Sequence, residues 1–402
     1  MKRTLLIISL TSLLLLLLGS LSFGSCGRPD SSQKGGRCGR DTTKIDSVSA
    51  PISKDMRTTY NIFIENSGSM KGFFSGKSQS DLETIINDYY DRLTSEDKVA
   101  GDTITLNYIN TKKVDSKKSI ENYLSSAKDS CTASYTKIDN ILEMAMENAN
   151  GGSVNVVISD YCFESDKGNY RTAQSRITKL FTNKLSMNNN LSVAILKYEV
   201  GFDGNYFPGR IPCKRDLPVY FWIFGDANRV KKVLDLHVKE TPESIFLLQA
   251  SKDMPYELSA KKMRAVDGSE IVVKNLVKDR HGDEYKFNVK VDLSDVILSE
   301  NELKKIANYS LTSSSSSEYN IASITNENDI YTFEISTKKP SPGSLGIKFN
   351  LFLPQWVKDS SHEGAGIPPQ GKTTGIKYLI EGVYDAYHNN ANSYFTISLN
   401  LK

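Results

Sequence analysis

The stretch Tyr60-Asn61-Ile62-Phe63-Ile64-Glu65-Asn66-Ser67-Gly68-Ser69-Met70-Lys71-Gly72 decides how the chain is read. Asn61 to Ile64 predicts a short buried strand. It ends in Glu65, and Ser67 and Ser69 follow around Gly68. A carboxylate and two hydroxyls then stand on a tight turn at a strand's C-terminal end, where open α/β sheets place their ligands. Hard oxygen donors carrying few charges suit Mg²⁺ or Mn²⁺.

Two downstream stretches extend the pattern. Ser134-Tyr135-Thr136-Lys137-Ile138-Asp139-Asn140-Ile141-Leu142 reads as a polar loop entering a helix that Thr136 caps. Val154-Asn155-Val156-Val157-Ile158-Ser159-Asp160 reads as a buried strand ending in an acid. In this order the three pieces resemble the von Willebrand factor A (vWA) domain over about Thr58 to Glu240. That family carries Asp-x-Ser-x-Ser after its first strand, usually followed by Met, then a threonine loop, then a strand ending in Asp. The resemblance implies a metal site made by Glu65, Ser67, Ser69, Thr136 and Asp160, with Ser134 as the alternative register for Thr136. It also implies an open coordination position that a partner's carboxylate completes. One departure stands out. Glu65 replaces the family's Asp and reaches roughly 1.3 Å further by standard bond geometry. In the family that carboxylate usually holds the metal through water, so Glu65 either replaces the water or crowds the ion. The other reading is a hydrogen-bonded turn that holds no metal.

The chain has 402 residues, which predicts two or more domains. Its 39% hydrophobic and 24% charged content is ordinary for a globular protein. Lys and Arg number 50 against 47 acids, a net charge of +3. Such a balance excludes the electrostatic footprint of a nucleic-acid binder.

Residues 1–25 read as a targeting segment. Lys2 and Arg3 precede the apolar run Leu5 to Leu18, which is short for a membrane span. Phe23-Gly24-Ser25-Cys26 resembles a bacterial lipoprotein signal, in which Cys26 becomes the lipidated first residue. Phe23 departs from the usual aliphatic residue there, and a plain secretory leader or an uncleaved anchor are the alternatives. The expected location is extracytoplasmic, periplasmic or cell-surface, anchored to the membrane by the N-terminal lipid. Residues 26–57 are rich in Gly, Ser, Arg, Lys and Asp, cannot bury a core, and read as a flexible tether.

Residues 58–240 alternate strands and helices. Helical faces recur at Leu82, Ile85, Ile86, Tyr89 and Leu93, capped by Ser80, and at Ile177, Leu180, Phe181 and Leu185. Thr103 to Ile109, Leu191 to Val200 and Val219 to Phe224 read as strands. The fold class is α/β, a doubly wound, mostly parallel sheet with helices on both faces. Residues 241–402 change to strands at Ile245 to Leu248, Ile271 to Val277, Tyr285 to Leu293, Ile330 to Ile335, Leu345 to Leu353 and Tyr394 to Leu401. Ser310 to Ser317 reads as a loop. Ile376, Leu379, Ile380, Val383, Tyr384 and Tyr387 mark one helix, capped by Thr373 or Thr374. This half is expected to be a mainly-β, sandwich-like domain with a packed helix.

Phe73-Phe74, directly after the serine turn, are candidate partner contacts, and Tyr206-Phe207, in an irregular insertion, are weaker ones. His237, His281, His362 and His388 show no metal-type spacing. Ser67 and Ser69 lack the spacing of a nucleophile elbow. Gly151-Gly152 lacks the spacing of a phosphate loop. In an oxidising compartment Cys131 and Cys162 are candidates for a disulfide joining two site loops, against free thiols or a pair with Cys213. The expected function is a lipid-anchored binding or assembly protein that engages a protein partner through an acidic residue, and is not an enzyme. A hydrolase and a metal-free scaffold are the rivals.

Overall fold

The computed structural model describes residues 57–402 apart from 76–79, 96–100, 135, 148, 150–151, 164–168, 208, 281, 315–316 and 365. The leader, Cys26, Cys38 and the tether up to Met56 lie outside the described residues.

The first sheet is built in chain order from β1 (Thr59–Glu65), β2 (Thr103–Ile109), β3 (Lys113–Asp115), β4 (Ser153–Ser159), β5 (Leu191–Tyr206), β6 (Ile211–Asp226) and β7 (Ser244–Gln249). Its helices are α1 (Asp81–Ser95), α2 (Ile120–Ser125), α3 (Ala127–Ser130), α4 (Ile138–Met146), α5 (Tyr170–Met187) and α6 (Ala227–Leu234). The strand order is β3-β2-β1-β4-β6-β5-β7. Every residue of β4 is buried, as an unbroken apolar run predicts for a strand covered on both faces. Alternate residues feed two cores. Phe63, Val157, Ile195 and Trp222 face α4 and α5, while Ile62, Ile64, Val156 and Phe221 face α1, α2 and α6. Ser80 caps α1 as expected, and its capping box is complete. Its hydroxyl accepts from Glu83 N–H at 3.2 Å while its own N–H donates to the Glu83 carboxylate at 2.6 Å.

The chain is mixed α/β. Parallel pairing holds for β2, β1 and β4. The pairs β2–β3, β4–β6, β6–β5 and β5–β7 are antiparallel. The two sixteen-residue strands β5 and β6 form one hairpin in unbroken register from Leu191↔Asp226 to Tyr206↔Ile211. The expectation of an irregular insertion around Tyr206 is corrected here. Only Phe207 to Arg210 separates the strands, far short of what a parallel crossover needs. Gly209 and Arg210 turn the chain at φ +100° and +53°.

The rest of the chain adds β8 (Lys252–Asp253), β9 (Tyr256–Ala260), β10 (Val266–Asp267), β11 (Glu270–Ile271), β12 (Tyr285–Asp292), α7 (Glu300–Leu303), β13 (Tyr309–Ser313), β14 (Asn320–Glu327), β15 (Ile330–Thr337), β16 (Gly343–Asn350), α8 (Gln355–Asp359), β17 (Ser361–His362), β18 (Thr373–Thr374), α9 (Ile376–Asn390) and β19 (Ser393–Leu401). One sheet runs β10-β11-β19-β16-β13, with β8 on β19, and another runs β14-β15-β12-β9. The Tyr309 ring meets Phe333 at 5.3 Å, so side chains of the two sheets share a core.

Four expectations change in this half. Ile245 to Leu248 joins the first sheet, as β7. Ile271 to Val277 is extended only at Glu270–Ile271. A 3-10 turn then buries Val273 and Leu276 singly while the Asn275 amide bonds the Arg264 carbonyl at 2.7 Å. Tyr309 to Ser313, at the head of the serine-rich run, is a strand on β16. Neither Thr373 nor Thr374 caps α9. Both pair with Ser361–His362, and Gly375 takes the capping position at φ +74°. A Cβ there would lie 2.5 Å from the Phe163 carbonyl oxygen.

Helix α9 lies against α5, an element of the first sheet. At Gly382 an added Cβ would stand 2.8 Å from the Gln174 carbonyl oxygen and 2.9 Å from the Ile177 Cβ. Gln174 also donates to Asp385 at 2.8 Å, and the Tyr170 and Tyr378 rings stack at 5.0 Å. The packing therefore runs unbroken from β1 to β19, and the described residues belong to one unit.

Candidate functional site

Glu65 ends β1 at the C-terminal edge of the sheet, flanked by the ends of β2 and β4. The backbone then leaves the sheet and is stitched to the threonine loop. Asn66 N–H donates to the Ile109 carbonyl at 3.1 Å, Ala133 N–H to the Asn66 carbonyl at 3.1 Å, and Gly68 N–H to the Ala133 carbonyl at 2.9 Å. Gly68–Phe74 follows as a 3-10 turn whose Met70 is fully buried. The Met70 sulfur accepts from Asp160 N–H at 3.2 Å, which ties the turn to the end of β4. Three segments far apart in sequence thus meet through main-chain contacts, before any side chain is considered.

The side chains converge on Glu65. Its Oε1 accepts from Ser67 N–H at 3.1 Å, Thr136 Oγ1 at 2.5 Å and Asn110 Nδ2 at 3.2 Å. Its Oε2 accepts from Ser67 Oγ at 2.7 Å. Ser67 Oγ and Ser69 Oγ lie 2.9 Å apart. Asp160 is held by Cys162 N–H at 3.0 Å and by the Ser69 hydroxyl. Glu65, Ser67, Ser69, Thr136 and Asp160 are therefore brought together. Thr136 rather than Ser134 occupies the cluster, since Ser134 is exposed. Thr136 does not cap α4, however. Lys137 holds the capping position without a side-chain bond, because the Thr136 hydroxyl is turned to Glu65.

Two acids buried side by side repel. Burial first, then the Asp160 charge, push the Glu65 carboxyl from 4.5 up to about 7, against the hydrogen bonds from Thr136 and Ser67. Burial also raises Asp160, opposed by the bonds from Cys162 and Ser69. Among the described residues no Lys, Arg or His pairs with either carboxylate. Charge, burial and donor type at this point all favour a cation.

No family model, curated protein or solved structure matches the chain.

Among the described residues there is also no group of three or more His, Cys, Asp or Glu side chains that could hold a metal ion. Two carboxylates and three hydroxyls are a different donor set, and they fit a hard divalent ion such as Mg²⁺ or Mn²⁺. The fit rests on two buried acids with oxygen donors around them and no positive partner.

Several expected residues have other roles. Phe73 and Phe74 are core, at 1% and 5% exposure. The Phe73 ring stands edge-on to Phe202 of β5 at 4.8 Å, so both are core residues rather than exposed partner contacts, with Phe73 edging the cleft beside Ser69. Tyr206 is buried too, and its hydroxyl bonds Thr374 Oγ1 at 3.1 Å. Phe207 stays partly exposed under the Arg210 guanidinium. Cys131, Cys162 and Cys213 are free thiols, so of the alternatives the free thiols hold and the candidate Cys131–Cys162 disulfide does not form. Cys131 is buried in the core on the α1 side of the sheet, whereas Cys162 points to the hairpin tip, 3.0 Å from the Phe207 carbonyl oxygen.

The sequence reading missed Asn110. It follows β2 directly, and no sequence signal marks it, because its place beside Glu65 is set by the pairing Glu65↔Ile109. Access to the cluster is narrow. Ser67 and Asp160 are 8% and 9% exposed, and Ser69 is the more open member. A cleft beside Ser69 and Asp160 is walled by Phe73, Phe202 and Tyr206.

Proposed function

We propose that this protein is a lipid-anchored, extracytoplasmic binding or assembly protein that engages an acidic group of a protein partner through a divalent cation at the Glu65–Asp160 cluster. The observation that carries the proposal is the pair of buried carboxylates, Glu65 and Asp160, set among three hydroxyls and, among the described residues, left without a cationic partner. The vWA-like strand order β3-β2-β1-β4, with the cluster at the C-terminal edge of β1 and β4, supports it. The antiparallel hairpin β5–β6 is a departure from a fully doubly wound sheet. The residues that would hold Mg²⁺ or Mn²⁺ are Ser67, Ser69, Thr136 and Asp160, with Glu65 through Oε2 or through water.

When bound, such an ion supplies positive charge that holds a carboxylate. The neutral hydroxyls leave that charge largely uncancelled. The backbone stitching of the two loops holds the donors in place, and the cleft beside Ser69 is lined by Phe73, Phe202 and Tyr206. The membrane link rests on the Cys26 signal. Among the described residues no helix is long and apolar enough to cross a membrane.

A second reading has its own observation. The donors already satisfy one another, with four hydrogen bonds ending on Glu65. A protonated Glu65 would make the cluster a metal-free structural knot. A hydrolase finds less support, since the Ser67 hydroxyl is spent on Glu65 and on Ser69. Calorimetric titration with Mg²⁺ and with Mn²⁺ separates the readings. Wild type is expected to bind, Glu65→Asp to bind as well or tighter, and Asp160→Ala to lose roughly 10–100-fold in affinity. The Ala variant should stay folded, because Asp160 lies beyond the buried strand β4. Absence of binding in wild type and in Glu65→Asp at millimolar metal would leave the structural knot.

A further inference from the structure

We infer that Asn110 is the positioning residue that lets a glutamate stand where the site is expected to carry the shorter aspartate, and that it sets which oxygens remain free for the cation. The inference rests on the proposed cation site and concerns the class of ligand already named, a hard divalent ion.

Asn110, Thr136 and Glu65 form a ring of hydrogen bonds with a fixed polarity. The Asn110 amide nitrogen donates both to Glu65 Oε1 at 3.2 Å and to Thr136 Oγ1 at 3.0 Å. An amide nitrogen only donates. Thr136 must therefore accept from Asn110, and its single proton goes to Glu65 Oε1 at 2.5 Å. That leaves one lone pair of Thr136 Oγ1 without a partner among the described residues. Glu65 Oε1, with three donors, is filled and turned toward the protein. Oε2 accepts from Ser67 alone among the described residues and keeps a free direction.

Asn110 thus draws the extra length of Glu65 sideways into the protein. Without the amide, nothing but Thr136 and Ser67 would keep the longer carboxylate from swinging across the positions meant for the ion. Asn110 itself is 5% exposed, and its Oδ1 is buried with no hydrogen-bond partner among the described residues. A buried amide oxygen left unpaired costs about 1–3 kcal/mol. A buried amide oxygen of this kind is commonly satisfied by an ordered water.

The test is a double-mutant cycle read by calorimetry with Mg²⁺, using folded full-length protein checked by circular dichroism. Asn110→Leu should weaken Mg²⁺ binding roughly 10-fold in the wild-type background. In the Glu65→Asp background the same change should cost clearly less, because the shorter carboxylate no longer reaches the amide. Asn110→Ser, whose hydroxyl cannot span Glu65 and Thr136 together, should behave like Asn110→Leu and serves if the latter does not fold. Unchanged affinity in both Asn110 variants overturns the inference. Equal losses in the two backgrounds also overturn it, since Asn110 would then be a general prop. Wild type that binds no Mg²⁺ overturns the proposed cation site itself and the inference with it, which sets that failure apart from the other two.

Discussion

Replacing Glu65 with Gln should stabilise the cation-free protein by about 3 kcal/mol at about pH 8 and by almost nothing at about pH 4. The sign follows from the carboxyl being raised from 4.5 to about 7. The folded state holds the Glu65 proton more tightly than the unfolded chain. Stability is therefore complete below the unfolded value, falls as pH rises from 4.5, and levels off above about 7. Gln keeps the shape and an accepting oxygen but cannot ionise, so its curve lacks this fall. Denaturant unfolding of both proteins across that range, in the presence of chelator, is the measurement. Parallel curves for the two proteins would mean that Glu65 is not the strained acid described here. The same substitution removes a charge that a divalent ion needs, so its gain over wild type in chelator should largely disappear in Mg²⁺.

Phe73→Ala should lose about 3–5 kcal/mol of stability. Phe73 is 1% exposed and stands edge-on to Phe202. The backbone leaves no room for the gap to close. A Cβ on Gly72 would meet the Phe202 ring at 2.3 Å, and one on Gly204 would meet the Gly72 Cα at 2.8 Å. The serine turn and the β5–β6 arm are in close contact there, and Phe73 is wedged where they meet. A surface aromatic awaiting a partner would change stability by a few tenths of a kcal/mol at most. An unfolding midpoint equal to that of wild type would return Phe73 to the surface.

Phe73 also shows where sequence reading has a limit. Its position after a polar turn suggested exposure, and only the fold-back of a distant hairpin buries it. The strand Val154 to Ile158 was legible because an unbroken apolar run has one physical home, a strand covered on both faces. Helix α1 was legible because its stripe and its capping box agree. The five cluster residues were legible because each sits at the end of such an element, so the topology alone brings them together. The direction of β6 was not legible. A buried strand reads the same up or down, and only the short link from Phe207 to Arg210 marked the hairpin. Strand β14 was missed for a related reason, since most of its residues are exposed and it has no sustained apolar alternation. Asn110 was invisible because its role depends on register with β1, which is a property of pairing rather than of composition.

The central claim is that the paired acids Glu65 and Asp160 form a divalent-cation site. Thermal unfolding of the wild-type protein at about pH 8, with chelator and then with millimolar Mg²⁺, tests it most directly. A ligand present at 100 times its dissociation constant stabilises the state that binds it by about 2.7 kcal/mol. The account predicts that Mg²⁺ raises the wild-type melting temperature by several degrees and raises those of Glu65→Gln and Asp160→Ala clearly less. A wild-type melting temperature that is the same in chelator and in Mg²⁺ would contradict it.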